Sequence, residues 1–244
     1  MNKVLFRSGL LVGLITFLFL HPAYSQADQA EAAIRKIMEE APVTGLSVAV
    51  VKNNRIVYTQ AFGVKDRETN TPLTTDCLFR IASISKSFSA TSIMQLVEKK
   101  KLSLDDDVSD LMGFKIRNPK FPETVITLRL LLSHLSSIND SQGYFTLDAI
   151  NPEKNKDWAK CYNNYEPGKG YQYCNLNFNM VGTIIEKYSG ERFDQYVKHH
   201  ILDPLGLYGG YCVDSLDKSR FASLYEYNGD SMRFFPSPNA YNPR

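Results

Sequence analysis

The stretch Phe79-Arg-Ile-Ala-Ser-Ile-Ser-Lys86, running on through Ser87-Phe-Ser-Ala-Thr-Ser-Ile-Met-Gln-Leu-Val97, decides how the rest of the chain is read. From Ser83 to Lys99 the spacing predicts a helix, with Phe88, Ile93, Met94 and Val97 as its apolar positions. Lys99, Lys100 and Lys101 follow at the end where the helix dipole favours cations. Ser83 and Lys86 stand one turn apart at the helix start, on one face. A helix N-terminus offers partial positive charge and unpaired N–H groups, which suit an alkoxide or an oxyanion. A neighbouring lysine can deprotonate the serine if burial lowers its pKa into working range. The spacing alone is weak. Ser215-Leu-Asp-Lys218 repeats it in a polar loop, and a serine at a helix start is often only a cap.

A second candidate pair lies downstream, in Tyr173-Cys174-Asn175. In extended backbone, residues two apart point to the same face. A tyrosine near a lysine has its phenol pKa lowered and can shuttle a proton. The Asn amide can hold a substrate carbonyl or orient the lysine. Tyr162-Asn163-Asn164 fits the same pattern, so spacing does not choose between the two.

Outward from these motifs the chain reads as α+β. Gln26 to Glu40 is an amphipathic helix ended by Pro42. Leu46 to Val51 and Ile56 to Phe62 form a hairpin around Asn53-Asn54, residues that tolerate positive φ. Further helices are predicted over Thr127–Leu132, over Phe178–Tyr188 before Gly190, and over Phe193–Leu202 before Pro204. Asn139 to Gly170 is loop-rich. Strand signals return at Phe221–Tyr227 and Met232–Phe235, flanking Asn228-Gly229-Asp230. A lone hairpin is marginal, so its sheet needs strands from distant segments.

The 244 residues are 43% hydrophobic and 22% charged, an ordinary globular mix. With 28 Lys and Arg against 26 Asp and Glu, no basic excess exists to collect phosphates, which argues against nucleic-acid binding. The chain holds no G-x-S-x-G elbow, no H-E-x-x-H and no phosphate-binding glycine loop.

The N-terminus has the layout of a secretory signal. Lys3 and Arg7 precede the uncharged run Gly9 to Leu20, and Ala23-Tyr24-Ser25 offers small residues for cleavage after Ser25. The run is too short for a stable membrane span, and His21-Pro22 interrupts it. The expected mature chain is 26–244, read as one domain, periplasmic or extracellular, with equal numbers of each charge. In that oxidising setting Cys161 and Cys174, which bracket the Tyr/Gly/Pro-rich loop, are the preferred disulfide. Four unpaired thiols, adding Cys77 and Cys212, are the equal alternative.

Several motifs in order are more specific than any one. Phe79 to Lys86, Leu131-Leu-Ser-His-Leu-Ser-Ser-Ile138, Tyr173-Cys-Asn-Leu-Asn-Phe178 leading into Gly182-Thr-Ile-Ile-Glu186, and Asp203-Pro-Leu-Gly-Leu207 follow one another. Together they resemble the serine β-lactamase-related, penicillin-binding-protein-like hydrolases: class C β-lactamases, D-alanyl-D-alanine carboxypeptidases and related esterases. The resemblance implies a β-lactamase/transpeptidase-like fold, a helical block plus an antiparallel sheet. It implies Ser83 as the acylated nucleophile, Lys86 and Tyr173 as proton-moving partners, and Asn175 as a substrate-binding residue. No cofactor or metal is implied, and the partner is a small-molecule or peptide substrate.

Three departures from the family pattern stand out. Cys174 replaces the usual serine between Tyr and Asn, at a position expected to point away. His134-Leu-Ser-Ser137 replaces His-Thr-Ser-Gly, losing the glycine that permits positive φ, and His134 reads as a structural loop residue. No Lys- or His-Thr/Ser-Gly triplet follows Asn175. In the family that motif sits on a strand supplying an oxyanion N–H, whose loss costs on the order of 10²–10³ in rate. The sheet is therefore expected to be incomplete. A non-catalytic acyl-pocket binding protein, or an inactive truncated relative, is the competing reading.

Overall fold

The computed structural model describes residues 26–237, and these fall into two compact units, 26–78 with 220–237, and 79–219. The expected signal segment, 1–25, lies outside the described residues. Among those described, no helix is long and apolar enough to cross a membrane.

The first unit holds the sheets. Helix α1 (Gln26–Glu40) is followed by strands β1 (Gly45–Lys52) and β2 (Arg55–Asp66). The strands pair antiparallel, Leu46 opposite Phe62 and Val48 opposite Gln60. Asn53 and Asn54 take φ of 52° and 56°, the left-handed pair a tight hairpin turn requires. Strand β3 (Thr71–Pro72) pairs with the end of β2. Gly63, at φ 77°, cannot be replaced without collision, because a Cβ there would lie 2.3 Å from the Thr44 carbonyl oxygen. The small core of this unit centres on Phe62, Leu73 and Ala222, with the Arg35 guanidinium over the Phe62 ring.

The later strands do not complete that sheet. β4 (Tyr225–Asn228) and β5 (Arg233–Pro236) pair with each other in a separate two-stranded ladder. Within the same unit their segment meets residues 65–78 through Ser223 N–H to the Lys65 carbonyl (2.8 Å), Leu78 N–H to the Arg220 carbonyl (2.7 Å), Arg67 N–H to the Tyr225 hydroxyl (2.7 Å) and an isolated parallel bridge between Leu78 and Phe221. The expectation of distant strands extending the hairpin is corrected accordingly. Among the described residues, β1 keeps an unpaired outer edge.

The second unit is helical. A single 3₁₀ turn, Ala82–Ser85, leads into α2 (Lys86–Glu98). α3 (Val108–Met112) is short and went unpredicted, although Asp107 accepts from Ser109 N–H as its cap and Gly113 ends it at φ 84°. α4 (Leu128–Leu132) starts on Thr127, and α5 (Asn175–Ser189) ends at Gly190 with φ 79°. α6 (Phe193–Val197) continues as a π turn, Lys198–Leu202, in place of one uniform helix. The core is built from Ile93 and Leu96 of α2, Leu128 and Leu131 of α4, and Leu176, Met180 and Ile184 of α5, all fully buried or nearly so. α2 packs on α5, and α4 on the same helix.

The disulfide expectation is also corrected, since all four cysteines are free thiols. Cys161 Sγ donates to the Ala149 carbonyl, and Cys174 Sγ to the Asp140 carboxylate. Burial pushes the Cys161 thiol up to about 11 and the Cys174 thiol up to about 12. Both remain protonated at neutral pH.

Candidate active site

Ser83 lies in the 3₁₀ turn, one turn before the α-helix, rather than at the α-helical N-terminus expected from its spacing. Residues three apart eclipse one another in a 3₁₀ turn, which aims Ser83 and Lys86 the same way. Lys86 Nζ donates to Ser83 Oγ at 3.2 Å. Ala82, immediately before the serine, is held at φ 44°, a left-handed conformation costly for a residue with a Cβ. The Tyr211 hydroxyl donates to the Ser85 carbonyl and anchors the turn from the far end of the unit. No local signal marks Tyr211 for this role.

Tyr173 reaches the same serine from the other side, its hydroxyl donating to Ser83 Oγ at 2.6 Å. Lys86 Nζ also donates to Asn175 Oδ1 at 2.8 Å. It sits 4.9 Å from the Tyr173 ring centroid and 5.5 Å from that of Phe178, within cation–π range. All four expected residues thus meet around one oxygen and one ammonium. Cys174 is extended, but Asn175 is already the first residue of α5. Asn175 is therefore aimed by a helix start, not by a strand alternation.

The charge of the site favours an ionisable phenol. Burial pushes Tyr173 up, but the Lys86 and Ser83 hydrogen bonds and the Lys86 charge outweigh it and hold the phenol below its usual 10.0. His134 is pushed below 6.5, first by burial and then by the Lys86 charge, with Asp140 opposing. Its neutral Nδ1 accepts the Cys174 backbone N–H at 3.2 Å, and its carbonyl accepts Gln172 N–H at 3.1 Å. The imidazole ring lies 4.5 Å from the Tyr173 ring, so His134 braces the segment that carries the tyrosine. Its turn takes a positive φ without a glycine. Ser137 takes φ 64°, and its buried hydroxyl donates to the Tyr165 carbonyl and accepts from Asn118 Nδ2.

Asp140 was missed by sequence reading. Its carboxylate accepts the backbone N–H groups of Asn175 (2.8 Å) and Leu176 (3.0 Å), the first two of α5. The available signal was a helix start whose preceding residue, Cys174, offers no side-chain cap. The competing matches do not assemble. Ser215 Oγ donates to the Cys212 carbonyl and Lys218 Nζ to Asp214. Tyr162 is buried in the core, and Asn163 donates to the Tyr165 hydroxyl. Among the described residues no group of three or more His, Cys, Asp or Glu side chains is gathered to hold a metal ion.

Over residues 30–243 the sequence matches the family described as Beta-lactamase. The chain belongs to the beta-lactamase family. This beta-lactamase-family chain is 29% identical over 218 residues to a D-aminopeptidase of Brucella anthropi, covering 86% of the chain and 40% of the relative. It is 27% identical over 262 residues to esterase EstB of Burkholderia gladioli, covering 90% and 65%. Its backbone superposes on the octameric penicillin-binding protein homologue from Pyrococcus abyssi with a TM-score of 0.72 and 32% identity, over 88% of this chain and 51% of that one. The fold is the α+β fold of that family. The beta-lactamase-family chain spans between 36% and 65% of the length of the curated relatives it matches. Members of the family are serine hydrolases.

Proposed function

We propose that this chain is a secreted serine hydrolase that forms an acyl-enzyme on Ser83 and acts on an amide, ester or β-lactam bond. The observation that carries the proposal is the placing of Ser83 Oγ between the Tyr173 hydroxyl (2.6 Å) and Lys86 Nζ (3.2 Å). At rest the phenol donates to the serine. Once the phenol has lost its proton, the same contact runs the other way and Ser83 O–H donates to the phenolate. Ser83 Oγ then attacks the substrate carbonyl carbon, and its proton passes to Tyr173. The leaving amine or alkoxide takes that proton as its bond to carbon breaks. Water, deprotonated by the same phenolate, releases the acid and regenerates Ser83. Lys86, which contacts both Ser83 Oγ and the Tyr173 ring, assists the proton movement and faces the phenolate, while Asn175 holds Lys86 and offers its amide to the substrate.

The D-aminopeptidase and the esterase among the relatives support small peptides or esters as substrates. The signal-like residues Lys3 to Ser25 support export to the periplasm or the medium. A fluorescent penicillin or an activated ester tests the reading. The adduct is expected on the peptide bearing Ser83, and Ser83→Ala should abolish it. An adduct on Ser85 or Ser215 overturns the assignment. Saturable binding without any adduct would favour the non-catalytic acyl-pocket reading.

A further inference from the structure

We infer that Asp140 is a positioning residue, setting which end of the Asn175 amide faces Lys86. The two ends of an asparagine amide are alike in shape and opposite in chemistry, one accepting and one donating. Asp140 Oδ2 accepts both the backbone N–H of Asn175 (2.8 Å) and its side-chain Nδ2 (2.9 Å). Oδ1 accepts the Leu176 N–H (3.0 Å) and the Cys174 thiol (3.1 Å). An ionised carboxylate only accepts, so it admits the NH₂ end of the amide and refuses the carbonyl end. An ammonium only donates, so Lys86 takes the carbonyl end, Oδ1, at 2.8 Å. A flipped amide would set NH₂ against the ammonium and C=O against the carboxylate, unfavourable at both ends. Asp140 and Lys86 together leave one orientation.

The consequence runs to the serine. Lys86, held by Asn175, donates in turn to Ser83 Oγ. Asp140 therefore acts on the reacting oxygen through two intermediaries without touching it. The same carboxylate takes the first two N–H groups of α5, which starts the helix at Asn175 and carries its side chain to the lysine. The thiol of Cys174 completes its four donors, which gives the residue between Tyr173 and Asn175 a function in the array.

The inference rests on the acyl-enzyme reading for its effect on rate, and on the amide alone for its geometry, so two measurements separate them. The first is the acylation rate of the full chain with p-nitrophenyl acetate. Asp140→Asn keeps the shape but turns an NH₂ toward a row of donors, and the rate should fall roughly tenfold or more. In an Asn175→Ala background the same substitution should change the rate by less than about twofold, because no amide remains to be oriented. Equal losses in both backgrounds would show a merely structural role and overturn the inference. The second measurement needs neither turnover nor a variant. In the ¹⁵N-labelled wild-type chain, the one Asn175 side-chain N–H that faces Asp140 should exchange slowly with solvent, being committed to the carboxylate, while its geminal partner stays free for the substrate. Fast exchange there overturns the inference even if Ser83 is acylated. Slow exchange in a chain that never acylates would uphold the orientation and refute the acyl-enzyme reading instead.

Discussion

Lys86 Nζ lies 2.8 Å from Asn175 Oδ1, joining the first residue of α2 to the first residue of α5. Both side chains are set by where their helices begin, and the helices are set by their packing on one another. Placement of the ammonium beside Ser83 is thus a property of the helical core, delivered at two helix starts.

The pH dependence of acylation should report the Tyr173–Lys86 contact. In the proposed mechanism the phenolate is the active form of the base, so the rate should rise with pH as Tyr173 loses its proton. Because Lys86 holds the phenol below 10.0, that rise should finish at lower pH than for a free tyrosine. Lys86→Ala should move the rise upward and lower the neutral rate by roughly 10²–10⁴. Stopped-flow rates between neutral pH and pH 10 measure both. An unmoved profile, or a rate loss matched by loss of folded protein, would give Lys86 a structural role only.

Acid should loosen the site through Asp140. Burial alone would raise this carboxyl, but the N–H groups of Asn175 and Leu176, with the Cys174 thiol and the Asn175 amide, more than offset it and leave it below 3.8. Its folded pKa lies below its unfolded one, so its contribution to stability is complete above the unfolded value and lost as pH falls through the folded value. Amide exchange at Asn175 and Leu176 should quicken over that acid range. In Asp140→Asn it should already be quick at neutral pH. Exchange insensitive to both changes would sink the capping role.

Core substitutions should separate packing from surface. Ile184 is fully buried on α5, and Ile184→Ala should cost about 2–5 kcal/mol in denaturant unfolding and slow acylation by loosening the helix that carries Asn175. Met94 is 47% exposed, and Met94→Ala should stay within roughly 0.5 kcal/mol. Equal costs at the two positions would contradict the assigned core.

Thiol chemistry should follow burial. In the native chain iodoacetamide should modify Cys77 and Cys212, which are partly exposed, well before Cys161 and Cys174. All four should react in urea. Prompt native modification of Cys174 would mean that its contact with Asp140 does not form in solution.

Hydrogen exchange should divide the described residues by element. Ile93 and Leu96 of α2 are sealed, whereas Val51 and Ile56 at the hairpin tip are 63% and 68% exposed and β1 has an open edge. Strong protection is expected across α2 and weak protection along β1. Uniform slow exchange through both would show that the hairpin edge is covered in solution.

Local physics made part of this molecule legible in the sequence. The apolar spacing of Ile93 with its neighbours, the Asn53-Asn54 turn and the Gly190 stop each depend on a few adjacent residues. The caps of α3, Asp107 and Gly113, were equally local, but five residues carry too little periodicity to announce a helix. The strand signals flanking Asn228-Gly229-Asp230 correspond to β4 and β5, with β4 beginning only at Tyr225. That the pair forms its own ladder and does not extend the hairpin depends on which edge is within reach.

By itself the sequence determined which residues could do the chemistry. A serine three residues before a lysine, and a tyrosine two before an asparagine, are patterns of composition and spacing. Only the tertiary structure decided which copy of each pattern is assembled. It turned Lys218 to Asp214 and buried Tyr162, and it brought Tyr173 within 2.6 Å of a serine separated from it by 90 positions. It also moved the start of α5 forward to Asn175. The N–H groups at a helix start must find acceptors, and here the acceptor is Asp140, 35 positions away on another loop. Helix periodicity is written in neighbouring residues, whereas a cap from a distant carboxylate exists only once the chain has folded.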